Sequence, residues 1–343
     1  MSLRKTLTST FATAAILMIT IAALGLTASA QFTVTNLVSN QAGKASHQDT
    51  SLINAWGIAF SPTGPFWISD EGTGLSTLYT GAGVKQSLVV TVPTAGGTGT
   101  GSPTGMVYNA TADFVVTQNG LSGASVFIFD TLDGTISGWA PSVNGTKAIV
   151  ATTRPGAFYT GLAIGVSNGA NFLYAADNVN NRIDVYDKNF ALVNSFTDTN
   201  LPAGSNPYNV QNIGGMLYVA FTNSRGWGVV DIFDTAGNFV KTFATGGTLK
   251  SPWGLAKSPA NFGKASNAIL VGNLSDGRIN VYNATTGKFL GQMKDKNNLF
   301  ISISELWGLS FGAGNPMNGR TNQLFFTAGP NGYVNGLFGV ITQ

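Results

Sequence analysis

One short phrase recurs six times along the sequence: an aromatic residue or Thr, then Gly or Asn, then an apolar run. The copies are Trp56-Gly57-Ile58-Ala59-Phe60, Thr104-Gly105-Met106-Val107-Tyr108, Thr160-Gly161-Leu162-Ala163-Ile164, Tyr208-Asn209-Val210, Trp253-Gly254-Leu255-Ala256 and Trp307-Gly308-Leu309-Ser310-Phe311. Their second residues stand 48, 56, 48, 45 and 54 positions apart, a period typical of units that bury their apolar faces only against one another. Each phrase leads into further runs of Val, Ile, Phe and Tyr bounded by Gly, Asn and Asp, the pattern of strands and tight turns. Second strands are expected at 65–69, 113–117, 171–176, 216–221, 268–272 and 323–327. Third strands are expected at 125–129, 182–186, 229–233 and 278–282, and fourth strands at 190–196, 239–243 and 289–293.

Four strands per repeat of this length is the arithmetic of an all-β, six-bladed β-propeller with four-stranded antiparallel blades. The two ends of the sequence fit the same scheme. The last repeat has strands at 306–311, 323–327 and 336–342 and then stops one strand short, while an orphan strand at 32–38 precedes the first phrase. If the N-terminal strand fills the outer slot of the last blade, the ring closes without an incomplete sheet, whose free edge would invite pairing with other chains.

Composition removes other classes. Gly supplies 44 of 343 residues, well above the usual ~7 %, as many hairpins and a crowded axis require. The absence of Cys excludes a disulfide framework, a Cys-ligated zinc and a thiol nucleophile. The single His, His47, excludes a site built on two imidazoles from one chain. With 22 Phe, 9 Tyr and 6 Trp and only 10 % charged residues, the chain is not composed like a disordered one.

Residues 1–30 carry the three parts of a secretory signal. Arg4 and Lys5 open it, an apolar stretch runs from Phe11 to Leu26, and Ala28-Ser29-Ala30 sets cleavage between Ala30 and Gln31. The expected organisation is a signal peptide over 1–30 and a single propeller domain over 31–343, exported to the periplasm or the medium. No later stretch reaches the ~18 unbroken apolar residues of a membrane span. Loss of Arg4 and Lys5 leaves 16 basic against 15 acidic residues. That balance argues against a nucleic-acid partner, and a monomer is expected.

The units resemble NHL-type repeats in Asn206-Pro207-Tyr208-Asn209 with Gly215-Met216-Leu217-Tyr218-Val219-Ala220, and in Leu173-Tyr174-Ala175-Ala176-Asp177-Asn178 with Asn181-Arg182-Ile183-Asp184-Val185-Tyr186. About nine-tenths of the chain resembles an uncharacterised family of exported bacterial propellers. The likeness is carried by Asn36-Leu37-Val38-Ser39-Asn40, Leu52-Ile53-Asn54-Ala55-Trp56-Gly57-Ile58-Ala59 and Trp67-Ile68-Ser69-Asp70. It implies the fold and export, not an activity. Members often carry a Pro-Glu-Pro sorting tail, which Val340-Ile341-Thr342-Gln343 does not resemble, so release rather than surface sorting is expected.

By fold analogy alone, ligands would meet the channel mouth, where loops enter the inner strands and join second strands to third. The entering loops carry Asn54, Trp56, Thr104, Tyr159, Thr160, Asn206, Tyr208, Trp253, Glu305 and Trp307. The second set carries Asp70, Glu71, Gln118, Asn119, Asp177, Asn178, Thr222, Asn223, Asn273 and Thr327. The preferred reading is a binding or scaffold module. In it Trp56, Asn119, Tyr159, Tyr208, Asn223, Trp253 and Trp307 offer flat faces and amides to an extracytoplasmic polysaccharide or peptide, with no catalytic residue and no cofactor assigned. The alternative is a Ca²⁺-dependent lactonase-type hydrolase. There Asp70, Glu71, Asp177, Asn178, Asn273 and Glu305 would hold the ion through oxygen, and the ion would polarise the ester carbonyl. A third reading leaves Asp and Asn as turn residues, as expected of Asp130, Asp187, Asp234 and Asn283.

Overall fold

The computed structural model describes residues 32–343; the expected signal segment lies outside the described residues. β-Branched and aromatic side chains pack well on a pleated surface, and the runs rich in them form six sheets around one axis. Blade 1 is Ala55–Phe60, Phe66–Asp70, Leu75–Tyr79 and Lys85–Thr91, counted from the axis outward. Blade 3 is Tyr159–Ser167, Ala170–Asp177, Arg182–Tyr186 and Leu192–Phe196. Blade 4 is Asn206–Ile213, Met216–Thr222, Trp227–Phe233 and Phe239–Lys250. Blade 5 is Pro252–Lys257, Ala268–Asn273, Ile279–Asn283 and Phe289–Gln292. Blade 6 is Leu306–Phe311, Leu324–Ala328 and Leu337–Thr342, completed by the N-terminal strand Thr33–Ser39. Thr33 pairs with Thr342 and Ser39 with Leu337, antiparallel. The ring is closed by the two ends of the described chain.

Blade 2 departs from expectation. Its strands are Pro103–Tyr108, Phe127–Thr131, Thr135–Trp139 and Ile149–Thr153. The run at 113–117 is not its second strand but half of a separate hairpin, Val115–Gln118 with Leu121–Ala124. The run at 125–129 is the second strand, not the third. The hairpin turns on Asn119 and Gly120, both at positive φ, the Asn-Gly signature of a two-residue turn.

Apolar side chains alternate across each blade and fill six seams between neighbouring sheets. Ile68 and Tyr79 of blade 1 meet Phe325 and Phe338 of blade 6, for example, while Trp67 and Leu78 meet Phe127 and Trp139 of blade 2. At the axis, all six inner strands carry a register shift at the repeat phrase against their second strands. Such bulges bend and twist a strand. Here they bring each phrase against the next blade: a Cβ on Gly254 would lie 2.5 Å from the Trp307 carbonyl of blade 6, and one on Gly105 would press on the Leu162 amide of blade 3.

Candidate functional site: a sealed mouth and an open far end

The inner strands begin at the mouth and run to the opposite face, so the expected rim divides by strand position. Trp56, Trp253 and Trp307 do converge at the mouth, but onto one another. Trp56 and Trp307 stack with centroids 3.8 Å apart, and Trp253 meets Trp307 edge-on at 5.8 Å. Tyr208 packs against Trp307 from one side and Tyr333 from another. Trp253 Nε1 donates across the channel to the Thr160 carbonyl at 2.9 Å, and Trp307 Nε1 donates to Asn54 Oδ1 at 2.9 Å. All three indoles are buried. Aromatic contacts of this kind contribute about 0.5–1.5 kcal/mol per pair beyond area burial. The tryptophans seal the mouth as a plug, and their faces are taken.

Two residues expected on this rim are elsewhere. Asn119 sits at the tip of the inserted hairpin, which follows the far end of the blade 2 inner strand and therefore hangs from the opposite face; Gln118 there accepts from Asn144. Tyr159 points away from the channel into the seam between blades 2 and 3. Its hydroxyl donates to Asp184 Oδ2 at 2.9 Å and lies 2.5 Å from the Tyr186 hydroxyl; burial pushes its pKa up. Asn223 does lie in the loop joining the second and third strands of blade 4, where its Oδ1 caps the turn through the amides of Arg225 and Trp227.

The six oxygen-bearing residues of the calcium reading are spread round the ring, and all but Asp70 are already engaged. Asp177 takes the Phe158 amide at 3.1 Å, Asn180 at 2.8 Å and Arg182 at 3.1 Å. Asn178 donates to the Pro207 carbonyl, and Asn273 bridges the Lys250 amide and the Thr248 carbonyl. Glu71 accepts from Asn54, and Glu305 from Ser304. Asp70 is buried without a well-formed hydrogen bond, and desolvation raises its pKa well above the carboxylate range. Among the described residues no three His, Asp or Glu side chains gather as a metal site. His47 is exposed on the perimeter, paired with Val38.

Asp130 also differs from its expected role as a turn residue. It is fully buried in the second strand of blade 2 and takes the Gly105 amide at 2.5 Å and the Thr104 hydroxyl at 2.7 Å. Desolvation raises its pKa to about 6 despite these bonds. Asp187, Asp234 and Asn283 do cap turns, through the amides of Asn189, Ala236 and Thr285.

Past the plug the channel opens. A narrow section of about 50 Å³ is lined by Ile58, Met106, Leu162, Gln211 and Ser310 among others. It widens toward the far face into a funnel of about 300 Å³, adding Phe60, Tyr108, Ile164 and Asn212. Among the described residues no charged side chain lines either section. Asn212 is held by the Ile164 carbonyl and the Gly215 amide. Sequence reasoning missed this end because it looked only where inner strands begin; the residues closing each phrase, Phe60, Tyr108 and Ile164, were the available signal.

With this geometry in hand, comparison with known proteins places the chain. No family model matches it. An uncharacterized protein of Acanthamoeba polyphaga mimivirus is 30 % identical over 324 residues, covering 90 % of this chain and 79 % of the viral one. This chain belongs to the family of that mimivirus protein. A second uncharacterized mimivirus protein is 28 % identical over 335 residues, covering 92 % of this chain and 86 % of its own length. Among solved structures, this member of the mimivirus-protein family is similar to virginiamycin B lyase from Staphylococcus aureus, with a TM-score of 0.55 at 14 % identity. The match covers 91 % of this chain and all of the lyase. The WD40 propeller domain of Doa1 matches with a TM-score of 0.50 at 10 % identity, over 90 % of this chain and 97 % of the domain. At such identities the likeness is one of fold.

Proposed function

We propose that this propeller is a binding module whose ligand, an uncharged peptide or polysaccharide segment, enters the channel from the far face. One observation carries the reading: the funnel is lined by apolar faces and amides with no charge, while the mouth is filled by its own tryptophans. A phosphate or carboxylate ligand would call for Arg or Lys there. The carboxylates of the calcium reading lie apart, and among the described residues no three of them gather, so the calcium-dependent hydrolase gains no support. Nor does the likeness to the lyase carry over as an activity. One solved form of that enzyme, with a histidine replaced by alanine, is described as catalytically inactive, and the one His of this chain lies on the perimeter. The test is binding to peptide and glycan arrays. Signal is expected on one of them, falling at least about tenfold in Gln211→Lys and Ile164→Lys but not in Arg225→Glu on the mouth side. Blank arrays, or signal indifferent to the funnel variants, would overturn the reading.

The composition of residues 1–30 supports export as part of the same proposal. N-terminal sequencing of the accumulated protein is expected to begin at Gln31. Protein that still begins at Met1 would count against it.

A further inference from the structure

The channel is blind. It narrows from about 300 Å³ at the far face to about 50 Å³ and ends on Trp253 of the plug. A polymer cannot thread it, and an interior segment would have to turn back on itself within the narrowing wall. Only a chain end or a single projecting group reaches the constriction. The volume stands at the low end for ligand pockets, about 300–1,000 Å³, which suits one terminal unit rather than a run of them.

The wall decides which kind of end. Each inner strand is the last of its sheet, so its axis-side N–H and C=O groups have no partner strand and stay open to a ligand. Tyr108, Gln211 and Ser310 add a hydroxyl, an amide and a hydroxyl from blades 2, 4 and 6. Among the described residues these three side chains make no hydrogen bond, whereas Asn212 beside Gln211 is spent on the Ile164 carbonyl and the Gly215 amide. Phe60, Tyr108 and Ile164 supply apolar faces between them. Hydroxyl groups donate and accept at once, as a wall of mixed donors and acceptors requires, and a sugar ring carries several beside its C–H faces. A lone apolar side chain would leave the polar groups unpaired. A free peptide end carries an ammonium or a carboxylate, and burying that charge without a partner is costly. Lys257, which ends the blade 5 inner strand, is exposed and lines neither section.

We infer that the funnel seats the terminal sugar of an uncharged polysaccharide, gripping a chain end rather than a stretch of chain. This rests on the funnel being the binding site, as proposed above, and narrows its ligand from two classes of polymer to the end of one.

The test is a pull-down of the full chain with insoluble amylose, β-glucan, mannan and xylan, each intact and after mild acid cleavage to about a tenth of its length. On at least one of them the protein bound per gram at saturation is expected to rise about tenfold after cleavage, in step with the number of ends. A binder of chain interiors would load both forms equally. Tyr108→Phe, Gln211→Ala and Ser310→Ala are each expected to weaken binding by roughly three- to tenfold, the worth of one neutral hydrogen bond. Lys257→Glu should leave it unchanged. Circular dichroism melts separate a lost contact from a lost fold, and the three substitutions lie on three different blades. A load that cleavage does not change, binding indifferent to all three variants, or a loss in Lys257→Glu would overturn the inference. So would binding to peptide arrays with none to the four polysaccharides, a result that leaves the binding-module reading standing. Protein that binds neither would overturn both.

Discussion

Five blades place a polar side chain at the same point of the third strand: Thr77, Ser137, Asp184, Asp231 and Asn280, each paired with the residue opposite the repeat phrase. Blade 3 neutralises its acid, because Arg154 lies 2.8 Å and Arg182 3.0 Å from Asp184. Blade 4 does not. Asp231 is fully buried, neither oxygen has a well-formed hydrogen bond, and its acidic neighbour is Asp198. Desolvation, reinforced by Asp198, pushes its pKa up to about 7. The folded state therefore binds a proton that the unfolded chain releases near pH ~4. Stability supplied by that proton falls as pH rises from ~4 to ~7 and levels off above. Asp231→Asn is expected to remove this slope and to melt higher than the parent at pH 8, measured as the difference between the two melting curves. Equal curves across the range would show Asp231 ionised in the fold. None of this is readable in sequence, where Asp184 and Asp231 look alike and the partners, Arg154 and Asp198, come from separate crossings.

The repeat phrase is the element that the sequence made most legible, since its Gly or Asn marks where one inner strand touches the next. A Cβ at Gly105 would press on the Leu162 amide and the Asp130 carboxylate, neither of which can retreat. Gly105→Ala is expected to cost about 1–3 kcal/mol, seen as a lower urea midpoint with unchanged slope. Gly120→Ala tests the inserted hairpin instead. Its φ of 79° strains a non-Gly residue, yet no atom would meet the new methyl, so the expected loss is about 1 kcal/mol with array binding intact. The hairpin was misread because period and composition cannot distinguish a blade strand from an inserted one. The Asn-Gly turn gave a local signal that the count of four strands overrode. Tyr159 was misplaced for a related reason: at a bulged strand start its side chain leaves into the seam between blades 2 and 3, and what the strand offers the plug is the Thr160 carbonyl that accepts from Trp253.

At the scale of the whole molecule, the ring depends on its first seven described strand residues as much as on any blade. Thr33–Ser39 supplies the outer strand of blade 6, and Leu37 and Val38 complete the seam with Phe66, Ile68 and Tyr79 of blade 1. The sequence made this closure legible by leaving one strand over at one end and one short at the other. It did not reveal which end of the channel is open, because the plug forms only where Trp56, Trp253 and Trp307 meet across the axis. Removing residues up to Ser39 would bare the edge of Leu337–Thr342 and uncover two side chains whose burial stabilises by about 1.5–3 kcal/mol each. The shortened chain is expected to lose its single cooperative melt and to aggregate through the free edge. A separate peptide of residues 32–48 should restore the transition in a concentration-dependent way. A truncated chain that melts at the parent temperature would show that five complete blades and three strands of the sixth hold the ring without the N-terminal strand.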